Sequence, residues 1–304
     1  MKLIKLTPAV KSYLWGGDFF QKYGKFPETK IISELWELSV RPGNSSLIAS
    51  GAFRGKPLAE VLTTKEVGRA SERFPFFPIL IKLIDAKENL SVQVHPNDEY
   101  ALKHENSFGK SEMWYIISAD EGAGLYVGFN DDYAPKEIEE HLNKGTILQT
   151  LNFFKVKPGD CFIINPGTIH AIGQGVRLLE IQQNSDLTYR LYDYNRTEKD
   201  GKPRELHIQK ALKVLNYSKY VHHKTSSSVL ADNQYFTVEH HPIKQELIIN
   251  KSNSFVAFTF LSGEGKVDDL EYRSFDTFFL PAGQTCKING HGEIIMTYIT
   301  DDKK

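Results

Sequence analysis

Apolar and polar residues alternate in short runs along most of this chain, most sharply at Ser91-Val-Gln-Val-His-Pro-Asn-Asp98. Successive side chains of a strand point to opposite faces. Ser91, Gln93 and His95 therefore share one face, while Val92 and Val94 turn into a core. The preceding run Ile79-Leu-Ile-Lys-Leu-Ile-Asp predicts another strand, with a turn at Ala86-Lys-Glu-Asn89 between the two. Further strands are predicted over residues 112–117, 153–156, 161–164, 177–182, 255–260, 277–280 and 294–298. Two stretches change period. Residues 135–145 open on proline and acids and close on Lys-Gly, which are helix signals. A second helix is predicted near residues 205–215.

Periodicity is lost over residues 218–232, which gain Ser, Lys and His and read as a linker. Adjacent residues on an extended chain face apart, so His222-His223 reads as solvated loop rather than as a metal pair. The linker divides residues 1–217, including a helical insertion near 135–150, from an all-β unit over 233–304. A weak internal repeat crosses that division. Gly159-Asp-Cys-Phe-Ile-Ile-Asn-Pro-Gly-Thr-Ile-His170 parallels Phe275-Asp-Thr-Phe-Phe-Leu-Pro-Ala-Gly-Gln-Thr-Cys286. Each copy gives Asp, an apolar strand, Pro, Gly and then a residue three after the Gly: His170 in one, Cys286 in the other. The second copy has no upstream Gln-x-His, so two β-barrel units are expected, with metal chemistry only in the first. Short strand–turn patterns also recur by accident.

The alternating face of residues 91–95 sets an amide oxygen beside an imidazole. Glu112, from Gly109-Lys-Ser-Glu112, can add a carboxylate, and His170, after Pro166-Gly167, a second imidazole. Two His nitrogens, one Glu and one Gln oxygen suit a borderline divalent metal, zinc first among them. Such a centre would carry a charge of about +1 and act as a Lewis acid. Each piece also has a plainer reading: a satisfied polar His, a Lys110–Glu112 surface pair, a turn-stabilising His170. Downstream, residues 178–196 concentrate Glu180, Asp186 and Arg190. An Arg near a dication is electrostatically odd unless an anion, such as a phosphate or a developing enediolate, lies between them. Otherwise Asp186 is a turn residue and Arg190 a surface one. There is no P-loop and no GxGxxG, so any phosphate would be held by side chains.

Composition narrows the classes. The chain has 304 residues, 40% apolar and 25% charged, enough for one large domain or two ordinary ones. A net charge of −1 gives no reason to expect nucleic acid or anionic membrane as a partner. Two distant cysteines, Cys161 and Cys286, not in a CxxC, read as reduced and structural, which fits a cytoplasmic protein. The N-terminal Met1-Lys-Leu-Ile-Lys-Leu-Thr-Pro8 has no apolar core or cleavage site of a signal peptide, and no run is apolar enough to span a bilayer.

Trp15-Gly16-Gly17, the apolar run from Ile79 to Ala86, Leu90 to Asp98, Gly109 to Glu112, Pro166 to Ala171 and Ser185-Asp-Leu-Thr-Tyr-Arg190 follow one another in an order that resembles the type I mannose-6-phosphate isomerases (phosphomannose isomerases) in their short bacterial form. The resemblance spans most of residues 8–215 and the general layout of the rest. It implies a mainly β fold of cupin-type jelly-roll β-barrels, in two units with a small helical insertion. It implies one zinc ion per chain, held by Gln93, His95, Glu112 and His170. The implied activity is aldose–ketose isomerisation of D-mannose 6-phosphate and D-fructose 6-phosphate through a cis-enediol, with a phosphorylated hexose as partner. Lys110 and Arg190 match family active-site positions, and Glu180 and Asp186 lie at matching spacings. The expected catalytic set is thus Arg190, Lys110, Glu180 and Asp186, and the substrate-binding set Ser91, Lys110 and Arg190. Longer members carry a larger helical domain, so the phosphate contacts it shapes stay open here. A rival reading is a two-barrel cupin that binds sugar or metal without turnover. A redox-metal cupin oxygenase is a third, opposed by the Gln ligand.

Overall fold

The structure is a computed structural model that describes residues 1–198, 201–222 and 227–300. Among the described residues the strands form three sheets of nine, six and five members. The six-stranded sheet lies in the middle. Its order is Cys161–Ile164, Glu112–Ala119, Val176–Gln183, Ile79–Ala86, Glu34–Leu38 and Ala9–Lys11. The period-2 pattern explains its position. Ile84, Trp114, Ile116, Phe162, Val176 and Leu178 face Leu125, Val127 and Ile172 of the five-stranded sheet. The alternate residues Ile79, Ile81, Leu83, Met113, Leu179 and Ile181 meet Ile4, Leu6, Val238, Phe279 and Ile295 of the nine-stranded sheet. A strand buried on both faces needs apolar residues at nearly every position, and all eight residues of Ile79–Ala86 are buried.

The five-stranded sheet runs Tyr189–Tyr192, Val92–Val94, His170–Ile172, Gly124–Phe129 and Leu151–Lys155. Its outer face buries Val92, Val94, Ala171 and Leu191 beneath helical residues Ile138 and Ala211. The helix predicted at 135–145 is Pro135–Asn143. The one predicted near 205–215 is shorter, Ile208–Val214. Residues just before it are fastened to a strand instead: His207 N–H donates to Arg190 O at 2.7 Å. A helix at Asp98–Glu105 was not anticipated, although Asn97 caps it by accepting from Tyr100 N–H at 2.9 Å. The strand pair around 86–89 is also not a hairpin. Ile79–Ala86 and Val92–Val94 lie in different sheets, so the turn carries the chain across the sandwich.

The nine-stranded sheet holds the described strands from Val229–Asp232 to Thr285–Tyr298 and also takes in Ile4–Thr7, where Ile4 pairs with Phe279. Within the segment read as a linker, Tyr220 N–H bonds to Phe129 O at 2.9 Å, and residues 223–226, His223 included, lie outside the described residues. His222 is not freely solvated: its ring stacks on Phe162 at 4.2 Å.

The internal repeat extends to backbone detail. Gly159 and Phe275 take φ of 88° and 67°. Gly159 N–H bonds to Ile116 O at 2.9 Å and Phe275 N–H to Phe260 O at 2.7 Å. Ile116 and Phe260 then return N–H bonds to Asp160 O and Asp276 O, both at 2.9 Å. Further on, Thr168 N–H bonds to Asn165 O and Gln284 N–H to Pro281 O, both at 3.1 Å. The fold is mainly β, two jelly-roll units with a small helical insertion. No helix among the described residues is long and apolar enough to cross a membrane.

Candidate metal centre

His170 lies opposite Gln93 in antiparallel register, and Arg190 is the partner of Gln93 on its other side. Glu112 opens its strand opposite Gln182 in the facing sheet. Three hydrogen bonds fix these positions. Gly167 N–H donates to His95 O at 2.9 Å, which ties the Pro166-Gly167 turn, and so His170, to the His95 strand. Lys110 N–H donates to Pro96 O at 3.1 Å, and Gly109 N–H to Asp98 Oδ1 at 2.8 Å. A Cβ on Gly109 would come within 2.5 Å of Asn97 backbone, so only glycine lets the two segments approach this closely.

His95 is 1% exposed, and His170 and Glu112 are 0% exposed. His95 Nδ1 lies 2.8 Å from Leu187 O, and His170 Nδ1 lies 2.8 Å from Thr168 O. A carbonyl only accepts, so each Nδ1 carries the hydrogen and each Nε2 presents a lone pair. Those Nε2 atoms lie 3.3 and 3.6 Å from the two Glu112 oxygens. Burial pushes the His170 imidazole down to about 3. Burial and then the Lys110 ammonium lower His95. Both rings are neutral, the form that ligates a metal. Burial alone would raise Glu112, but the Lys110 ammonium holds it well below the usual carboxylate range.

The three ligand atoms lie within 4.8 Å of one another and could hold a metal ion. The donor set fits: two neutral imidazoles and a buried carboxylate whose Oε2 accepts no hydrogen bond. Gln93 Nε2 sits 3.3 Å from His170 Nε2. Turning that amide by 180° presents its oxygen at the same place.

Beside this group opens a cavity of about 390 Å³. Ser91, Gln93, Lys110, Glu180, Asp186 and Arg190 all line it. Lys110 Nζ contacts Glu112 Oε1 and lies 3.3 Å from His95 Nε2. Glu180 is held at both oxygens, Oε2 by Trp114 Nε1–H at 2.8 Å and Oε1 by Lys82 Nζ at 2.9 Å. Asp186 is a rim residue, its side chain 60% exposed and paired with Arg41 at 2.7 Å. Arg190 Nε reaches Ser91 Oγ at 3.3 Å.

The candidates taken from sequence did not include Lys82, Glu34, Trp36, Tyr13 or Arg204, which also line the cavity. A signal existed for Lys82: it is the one cation in an otherwise apolar run from Ile79 to Ile84, and its neighbours in that face are core residues. Arg204 sits in a turn-rich segment with no pattern to mark it.

Residues 3–118 match the family model for the catalytic domain of type I phosphomannose isomerase. The chain is 34% identical over 307 residues to the mannose-6-phosphate isomerase ManA of Bacillus subtilis, covering 96% of this chain and 97% of that protein. It is 33% identical over 299 residues to the mannose-6-phosphate isomerase of Streptococcus mutans, covering 94% of each. Among solved structures, a mannose 6-phosphate isomerase from Bacillus subtilis superposes with a TM-score of 0.88 at 32% identity, covering 98% of this chain and 99% of that one. Its neighbours share the cupin-type jelly roll.

Proposed function

This chain belongs to the type I phosphomannose isomerase family, and from that premise we propose that it interconverts D-mannose 6-phosphate and D-fructose 6-phosphate through a cis-enediol. The observation that carries the reading is the buried, neutral His95–His170 pair facing Glu112 beside a cavity walled by Lys110, Glu180 and Arg190. We assign one zinc per chain, held by Gln93, His95, Glu112 and His170. When bound, zinc supplies a Lewis acid that polarises oxygens of the open-chain sugar.

The chain's own residues do the rest. One proton leaves C2 of the aldose and returns at C1, while the O2 proton moves to O1. Lys110 and Glu180 are the groups that can carry these protons, since both line the cavity. Lys82 and Trp114 fix the direction of the Glu180 carboxylate. Arg190 opposes the negative charge that develops on the enediol oxygens or resides on the phosphate. Ser91 orients Arg190. Asp186 acts at the rim. This chemistry is assigned to residues 1–217 of a cytoplasmic enzyme, and the 233–304 unit to no metal.

A coupled assay of the purified protein with mannose 6-phosphate, run with and without a chelator, tests this. Turnover abolished by the chelator and restored by zinc is expected. Absence of turnover in zinc-loaded protein would favour a sugar-binding cupin without catalysis.

A further inference from the structure

Most acids that line the cavity already face a cation. Glu180 and Glu34 lie 2.9 and 3.9 Å from Lys82, and Asp186 lies 2.7 Å from Arg41. Arg190 differs: among the described residues it has no carboxylate partner. Its Nε reaches Ser91 Oγ at 3.3 Å and its Nη1 donates to Glu205 O at 2.8 Å, which leaves Nη2 unspent. A second guanidinium, Arg204, lines the same cavity. It grips Asp193 through Nε at 2.8 Å and Nη2 at 2.6 Å, which leaves Nη1 unspent. Asp193 is shared with Arg196 at 2.5 Å, and Arg196 also lies 3.9 Å from the exposed Glu88, so Arg204 has only a shared carboxylate and Arg190 has none.

Arg190 and Arg204 line the same cavity. Burial first, and then the charge of Arg204, lowers the Arg190 guanidinium, against the pull of Asp193 and Glu198. Two guanidiniums lining one cavity suit an anion, and the planar guanidinium fork matches a phosphate. Arg204 also lines an adjoining cavity of about 400 Å³, with Tyr13, Trp15 and Arg196 in its wall. The junction therefore has room for a group that projects from the sugar. Glu198 lines both cavities, but it is exposed, and solvent weakens its repulsion.

We infer that Arg204 binds the phosphate of the substrate, with Arg190 beside it, where the two cavities meet. This rests on the reading of the substrate as a hexose phosphate. It supplies a phosphate contact from the loop before the Ile208–Val214 helix.

Calorimetric titration of the purified protein with inorganic phosphate tests it without turnover. Arg204→Gln should weaken phosphate binding by about tenfold or more, as loss of a charge-assisted contact does. It should also raise the KM for mannose 6-phosphate more than it lowers kcat. Arg204→Lys should recover part of the affinity. Arg54→Gln, an exposed cation outside both cavities, should change nothing. The inference is overturned if folded Arg204→Gln binds phosphate like wild type. Should that variant fail to fold, a wild-type phosphate affinity in folded Arg204→Lys overturns it. If wild type shows no turnover of mannose 6-phosphate while phosphate binding follows this pattern, the assigned reaction fails and the anion site stands.

Discussion

Lys82 Nζ lies 2.9 Å from Glu180 Oε1, and both side chains are buried in the wall of the cavity. Burial alone would lower the Lys82 ammonium, but Glu180 and then Glu34 raise it, so it stays charged. The pair fixes a carboxylate that would otherwise be free to turn, and Trp114 Nε1–H holds its second oxygen. Trp114 in turn packs edge-on against His170 at 5.3 Å.

Removing one partner of such a pair leaves a buried charge uncompensated. Lys82→Met is expected to cost about 3–5 kcal/mol of stability and to depress turnover through misplacement of Glu180. Urea unfolding and the coupled assay measure the two effects. Wild-type values for both would show that Glu180 is held by other contacts.

His95→Ala should lose bound metal and activity together, because one of the neutral imidazoles is gone. Elemental analysis of the variant and of wild type is the check. Active wild-type protein without stoichiometric metal would remove the basis of the zinc assignment.

Arg190→Ala should keep the metal and lose on the order of a hundredfold or more in turnover, as deletion of a charge-stabilising donor does. Arg190→Lys should rescue only in part, since a point charge lacks the planar fork. Comparison with free mannose separates the two roles of Arg190. A mutant worse with both substrates points to the enediolate; a defect confined to the phosphorylated sugar points to phosphate. Wild-type kinetics in Arg190→Ala would exclude both.

Glu37 predicts a pH effect far from the metal. It is fully buried beside the Thr277 hydroxyl, and Lys25, Asp276 and Lys5 act on it from nearby. Burial, against the pull of Lys25, raises its carboxyl from 4.5 to about 7. In the unfolded chain the same group gives up its proton near 4.5. Between those two values the unfolded state binds fewer protons than the folded state, so stability falls as pH rises through this window and then levels off. The loss is about 3 kcal/mol at most. Glu37→Gln should flatten this slope and be more stable than wild type at pH 8. Denaturant melts of both proteins at pH 5 and pH 8 decide it; parallel pH profiles would mean that Glu37 does not titrate in this range.

Much of the site was legible because a strand's period is two. Once Ser91, Gln93 and His95 were placed on one face, the opposite face had to be Val92 and Val94, and the structure buries both under the outer helices. The Pro-Gly turn before His170 and the Gly109 close approach are short-range constraints of the same kind. The repeat was legible for the same reason. Its turns close through hydrogen bonds between residues a few positions apart, so the pattern survives where the residue itself has changed from Gly159 to Phe275 or from His170 to Cys286.

What the sequence by itself determined was which residues share a face and where tight turns fall, since φ/ψ preference and side-chain alternation are local. Only the tertiary structure decided which faces meet. It placed Glu180, on a strand of the central sheet, opposite Lys82 and two strand positions from the core residues Leu178 and Ile84. It carried the strand of residues 4–7 into the sheet of the C-terminal unit. It also brought Arg204 out of an unpatterned segment to the cavity wall beside Arg190. These contacts join residues far apart in the chain, and they form because burying apolar faces of two sheets against a third leaves the polar groups of their inner surfaces no other place to pair.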